Sequence, residues 1–227
     1  MPLSLKRNMI EHLDKLFVPR GFTRISDKFY GHRYDLAFPG GRRSIAINWH
    51  LRKPDLVLDS AYASVTIDEV QEVVARYEET SALTKPNDIA WRTTIGLRLE
   101  QGDILRTFTR RWTVSNDEDC VRVAADFAEK TIRGAETFWS IVTTPESVLA
   151  KLAANPIKVR DFAAPDYSAA ERAVVLCKLL YGTEKSKSLA RERLDCLSGN
   201  SKKELSDWLA RASGWLEGDA SLRFSTL

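Results

Sequence analysis

The chain has 227 residues, of which 44% are hydrophobic and 29% are charged, and its formal net charge is +3. These values are ordinary for a globular protein and argue against an intrinsically disordered chain or a strongly basic, dedicated nucleic-acid binder. The three cysteines are widely spaced and form no C-x-x-C motif, so we expect neither a disulfide framework nor a zinc site. No signal peptide or membrane-length apolar run is present in the sequence, which predicts a cytoplasmic protein with no membrane partner.

The N-terminal part of the chain predicts one helix followed by a β-hairpin. Apolar residues from Met9 to Phe17 recur at steps of three and four, which indicates an amphipathic helix near 5–18. Pro39-Gly40-Gly41 is the clearest turn signal in the chain. We therefore expect it to join a strand over 28–38 to a strand over 43–52.

The segment 43–52 has the best strand pattern in the sequence. Side chains alternate along it, so that one face of the predicted strand is apolar and the other is mostly polar. The apolar face would carry Ile45, Ile47, Trp49 and Leu51, and the opposite face Ser44, Ala46, Asn48, His50 and Arg52.

Further elements follow in the rest of the chain. Pro54 interrupts the strand pattern, so Asp55 and Asp59 are predicted to lie in a loop. A short strand is predicted over 62–67. A helix near 67–80 and a second hairpin, with strands over 90–99 and 104–114, come next. Ser115 and Glu118 have the spacing of a capping box that begins a helix over 117–141, and Thr144-Pro145 begins another.

These elements together predict an α+β fold. We expect an antiparallel sheet of about five strands, covered on one face by the helices near 5–18, 67–80 and 117–141. Short helical segments then form a helical C-terminal region. The predicted domains are an α+β domain over 1–155 and a helical region over 156–227 that packs on it.

Several short motifs resemble a family of bacterial domains of unknown function that carries a "GFk…Fyr…inlQ" pattern. The matching segments are Gly21-Phe22-Thr23-Arg24, Phe29-Tyr30 and Ile45-Ala46-Ile47-Asn48-Trp49-His50, with Glu171-Arg172-Ala173 and Leu179-Leu180-Tyr181-Gly182 similar to its C-terminal helical region. His50 stands where the family pattern often has Gln. The resemblance implies an α+β fold and no established activity, so it assigns no catalytic residue.

The polar face of the predicted sheet is the strongest candidate binding surface. The predicted strand phases place Asn48, His50, Arg52, Arg92 and Arg98 on this face. The planar guanidinium group of arginine suits carboxylates and phosphates. An antiparallel sheet with helices on one face also shows polar residues on the other without any functional role.

Two histidines, His32 and His50, lie on strands that the Pro39-Gly40-Gly41 turn makes neighbours. With Asp35 they could form an acid/base pair or part of a metal site. A metal site needs three or four ligands, and the sequence supplies no convincing further one. Because phosphate-binding glycine loops are also missing from the sequence, we predict no catalytic residue, no metal site and no cofactor.

The leading interpretation is a non-catalytic, protein-binding module of the accessory or immunity type, with another protein as its partner. The alternative is nucleic-acid binding through the arginine-bearing sheet face, and a third possibility is an enzyme that uses His32 and His50. The oligomeric state stays open.

Overall fold

The structure is a computed structural model that describes residues 2–27, 31–52, 54–78, 93–99, 112–154 and 166–220. The described helices are α1 Pro2–Phe17, α2 Asp68–Tyr77, α3 Asp117–Ile141, α4 Pro145–Ala153, α5 Asp166–Tyr181, α6 Thr183–Cys196 and α7 Gly199–Glu217. The strands are β1 Thr23–Asp27, β2 Gly31–Phe38, β3 Gly41–Arg52, β4 Asp55–Ile67, β5 Ile95–Leu99 and β6 Trp112–Val114. None of the helices in these ranges is both long enough and apolar enough to span a bilayer. The predicted α+β fold is confirmed.

The strands form one six-stranded sheet, one strand more than the approximate number predicted. Its order is β1-β2-β3-β4-β5, and β6 pairs with β4. Strands β1 and β2 are antiparallel, with Ser26 opposite His32, and β4 and β6 are antiparallel, with Leu56 opposite Val114. Most of the predicted strand over 104–114 lies outside the described residues, and its described end pairs with β4.

The chain divides into two compact units that are not continuous in sequence. Unit 1 comprises 1–37, 43–64 and 97–140, and unit 2 comprises 38–42, 65–96 and 141–227. The boundary between 155 and 156 that the sequence suggested stays a prediction.

Aromatic side chains build the core of unit 1. The ring of Phe17 in α1 stacks on that of Tyr34 in β2 with centroids 4.3 Å apart, and Phe22 meets both Phe17 and Trp139 of α3. The indole N–H of Trp139 donates a hydrogen bond to the Ser64 carbonyl over 3.2 Å. Helices α1 and α3 therefore cover the sheet, as expected for the segments near 5–18 and 117–141.

Helix α5 is the centre of unit 2. It is in contact with α2, α4, α6 and α7. Its residues from Ala173 to Leu179 are all buried, including the charged Lys178. A helix that is buried on all sides has little amphipathic character, which explains why its faces could not be assigned from a periodic pattern.

The start of β4 differs from the sequence-based expectation. Strand β4 begins at Asp55, so the segment read as a loop is strand. Leu56, Val57 and Leu58 are all buried, and burial on both faces of the sheet removes the alternation that would have identified the strand.

The N-terminus of α3 is capped one residue later than predicted. The side chain of Asn116 accepts a hydrogen bond from the Asp119 N–H, and the Asp119 carboxylate accepts one from the Ser115 N–H. The predicted start of α4 is confirmed, since Thr144 and Ser147 form a capping box before it.

Candidate functional site

The exposed end of β3 is the part of the sheet where the predicted binding residues come together. Ser44, Ile45 and Ile47 are buried, whereas Asn48, Leu51 and Arg52 are exposed and Trp49 and His50 are partly exposed. We call Asn48, Trp49, His50, Leu51 and Arg52 the β3 tip. Leu51 is 44% exposed, which makes it one of the large apolar side chains that the described residues leave in solvent.

The two faces of the β3 tip differ in chemistry. Because successive side chains of a strand point to opposite faces, Trp49 and Leu51 share one face, while Asn48, His50 and Arg52 share the other. Asn48 and Arg52 are exposed, and His50 is partly exposed. The tip therefore combines an apolar face with a face of hydrogen-bonding and basic groups.

Two neighbours fix the ring of Trp49. The imidazole of His32 in β2 meets it edge-on with ring centroids 4.7 Å apart. The ammonium group of Lys6 in α1 lies 4.9 Å from the centre of the indole ring, close enough for a cation–π interaction. Trp49 remains partly exposed between these two side chains.

His32 is held neutral by its surroundings. Its Nδ1 lies 2.9 Å from the Ser26 hydroxyl, a consequence of the direct pairing of these residues across β1 and β2. Burial lowers the pKa of His32 to about 4, and the positive charges of Lys6 and Arg24 act in the same direction, against the opposing effect of Asp14. At neutral pH the ring is uncharged.

Of the residues predicted from sequence, the structure brings Asn48, His50 and Arg52 together. Arg92 lies outside the described residues. Arg98 belongs to β5, but its side chain is not among those described. The wider arginine surface thus stays a prediction.

The structure does not bring His32 and His50 together as a facing pair. The connection between β2 and β3 consists of Pro39 and Gly40, within the predicted turn. His32 contacts Trp49 instead, and the next residue along the strand, His50, points to the opposite face. The sequence placed His32 opposite residues 48–50, and its contact with Trp49 lies within that range.

Sequence reasoning missed a polar group beneath the sheet surface. The Asp14 carboxylate in α1 accepts hydrogen bonds from the Tyr34 hydroxyl over 2.9 Å and from Arg24 over 2.6 Å. Burial and the hydrogen bond to Asp14 raise the pKa of Tyr34. The sequence did contain a signal for this group. Asp14 lies three residues before Phe17, and therefore on the same face of α1, the face that packs on the sheet.

A second ion pair involves β2 itself. Arg33 donates two hydrogen bonds to the Asp35 carboxylate, over 2.6 and 2.8 Å, and little of either side chain is exposed. Asp35, considered above as a partner of the histidines, is therefore engaged with a guanidinium group. Within the ranges that the structure describes, no group of three His, Cys, Asp or Glu side chains is placed to hold a metal ion.

Comparisons with known proteins found no matching family model, no matching curated protein and no matching solved structure. The resemblance suggested by the short motifs stays a prediction, and the interpretation of the β3 tip depends on its geometry.

Proposed function

We propose that the protein is a non-catalytic binding module that recognises another protein through the β3 tip. The observation that carries this proposal is the 44% exposure of Leu51 on the same strand face as the partly exposed Trp49. An apolar side chain at the exposed end of a strand loses contact with water when a partner covers it, which favours association.

The composition of the β3 tip matches that of energetically important interface regions. Tryptophan and arginine are enriched among residues that dominate binding energy, and polar groups typically surround the apolar centre. Here Trp49 and Leu51 would form the centre, with Asn48 and Arg52 at its border. Because Lys6 and His32 already hold the Trp49 ring, little side-chain freedom is lost when a partner binds.

The surroundings of His32 favour binding over catalysis. Its hydrogen bond to Ser26 is a cross-strand contact, and a pKa of about 4 makes the ring a weak base. A nucleophilic serine needs a histidine that a third group orients. Within the described part of the chain, no carboxylate accepts a hydrogen bond from this ring.

Nucleic-acid binding is the alternative that the sequence left open. Phosphate binding needs available cationic groups, but Arg24 and Arg33 in β1 and β2 are paired with Asp14 and Asp35. Of the predicted arginines with a described side chain, Arg52 is the one that projects from the tip into solvent.

The test is affinity capture from a lysate of the source cells with the wild-type chain and a Leu51→Asp variant, each with and without nuclease. The control is Val121→Asp, because Val121 is an apolar side chain on α3 that is 55% exposed. We expect a protein that survives nuclease, is captured by wild type and by Val121→Asp, and is lost with Leu51→Asp. Equal capture by the wild-type chain and both variants, or loss of the captured material on nuclease treatment, contradicts the proposal.

A further inference from the structure

Unit 2 contains a cavity of about 550 Å³ between α2, α5 and the end of α7. Ligand-binding cavities typically have volumes of about 300–1,000 Å³. Its lining comprises Glu69, Glu72, Val73, Arg76, Leu179, Trp215, Asp219 and Ala220. All of these residues belong to unit 2, so the cavity lies within one compact body.

Hydrogen bonds fix helices α2 and α7 relative to each other. The Trp208 indole N–H donates to the Val74 carbonyl over 3.3 Å, and the Arg211 guanidinium donates to the Tyr77 carbonyl over 2.7 Å. Both acceptors lie in the last turn of α2, and the Val74 carbonyl also accepts a hydrogen bond from the Glu78 N–H over 3.1 Å. The two helical walls of the cavity are thus joined at defined points.

The end of α7 is anchored to α5 and α6 by a buried lysine. Lys178 is 1% exposed, and its ammonium group donates to the Thr183 hydroxyl over 2.7 Å and to the Gly218 carbonyl. The same hydroxyl donates to the Leu216 carbonyl over 3.1 Å. These contacts hold the turn that carries Trp215, whose ring centre lies 5.8 Å from the Lys178 ammonium. The cavity is therefore largely preformed.

Four of the eight described lining residues are apolar and the other four are charged. Val73 and Leu179 are buried, with 6% and 5% of their surface exposed. Trp215 and Ala220 are partly exposed beside them. Trp215 and Ala220 therefore offer the apolar surface against which a hydrocarbon or aromatic group can pack.

Among the described lining residues, three carboxylates stand against one guanidinium group. Glu69, Glu72 and Arg76 follow one face of α2 at helical spacing, and Asp219 lies beyond the end of α7. Glu72 and Asp219 are exposed, and neither forms an ion pair with another described residue. The ammonium of Lys178, 5.8 Å from the Trp215 ring centre, has its own oxygen partners, so Glu72 and Asp219 are the charges that a ligand would meet.

We propose that this cavity binds a small organic cation, an amine whose ammonium group contacts Glu72 and Asp219 and whose apolar body lies against Trp215. Opposite charges attract each other, and an aromatic ring adds favourable interaction with a cation. The proposal is independent of the β3 tip, because no residue of the tip contributes to the cavity.

The test compares three ligands of similar shape and different charge by isothermal titration calorimetry with the full chain. Phenethylamine is cationic, phenethyl alcohol is neutral and phenylacetate is anionic at neutral pH. We expect saturable binding of phenethylamine, binding of the alcohol that is weaker by about tenfold, and still weaker binding of phenylacetate. Added salt should weaken the binding of the amine, because it screens the partly exposed carboxylates.

Two double variants complete the experiment. Glu72→Gln with Asp219→Asn should lower the affinity for phenethylamine about tenfold. Glu204→Gln with Asp207→Asn removes two exposed acids of α7 outside the cavity lining and should leave the affinity unchanged. The proposal is overturned if phenethylamine does not bind saturably, if the amine and the alcohol bind equally, or if both double variants behave alike.

Discussion

The neutral state of His32 predicts a measurable pH dependence of stability. The pKa of His32 is about 4 in the folded chain, compared with 6.5 for an ordinary histidine. The neutral ring is favoured in the folded state, so its contribution to the free energy of unfolding is fully present above about pH 6.5 and is lost as the pH falls from there through about 4. A difference of this size corresponds to at most about 3 kcal/mol, and solvent screening of a partly exposed ring reduces the expected effect to about 1 kcal/mol.

The assay combines a proton NMR titration of the imidazole rings with urea denaturation at about pH 7.5 and about pH 5. The chain has only three histidines, so their resonances can be assigned by substitution. His32→Gln keeps a side chain that can hydrogen-bond to Ser26 but does not titrate. We expect wild type to lose about 1 kcal/mol more than His32→Gln between these pH values, and the control His12→Gln to behave like wild type. A His32 ring that titrates near 6.5, or a variant that loses as much stability as wild type, refutes the reasoning.

Two further predictions concern the stability of unit 2. Trp208→Phe removes the hydrogen bond to the Val74 carbonyl and part of a fully buried side chain, so urea denaturation should show a loss of about 1–3 kcal/mol, while Trp215→Phe at a partly exposed position should cost clearly less. Gly41→Ala would place a methyl group 2.1 Å from the Thr66 carbonyl and should destabilise the fold by more than about 1 kcal/mol. In contrast, Gly214→Ala in α7, where nothing lies within 4 Å of the added atom, should stabilise it by up to about 1 kcal/mol. An equal loss for both tryptophan variants, or for both glycine variants, would contradict the packing described above.

Sequence patterns identified the elements that have one buried and one exposed face. The apolar spacing that includes Leu13 predicted α1, and the alternation around Ile47 predicted β3, because periodic burial leaves a periodic sequence. The start of β4 and the packing of α5 were harder to predict from the sequence, because residues such as Leu58 and Val175 are buried among apolar neighbours on both sides.

The candidate site was predicted in part. Alternation along one strand was enough to group Asn48, His50 and Arg52, because it depends only on local geometry. The contact between His32 and Trp49 depends on the hairpin register. A change of one residue in the length of the turn shifts that register. The cavity in unit 2 could not be predicted at all, because its walls come from α2 and α7, which tertiary packing alone brings together.

The bonds from Trp208 and Arg211 to the last turn of α2 also bear on how the protein is made. Each joins residues separated by 134 positions in the chain. During synthesis, α2 leaves the ribosome long before α7. The face of α2 that α7 contacts stays uncovered in the meantime. Contacts of such large sequence separation slow folding and leave intermediates prone to aggregation. Assistance by a chaperone during translation would therefore protect the exposed face of α2 until α7 has been made.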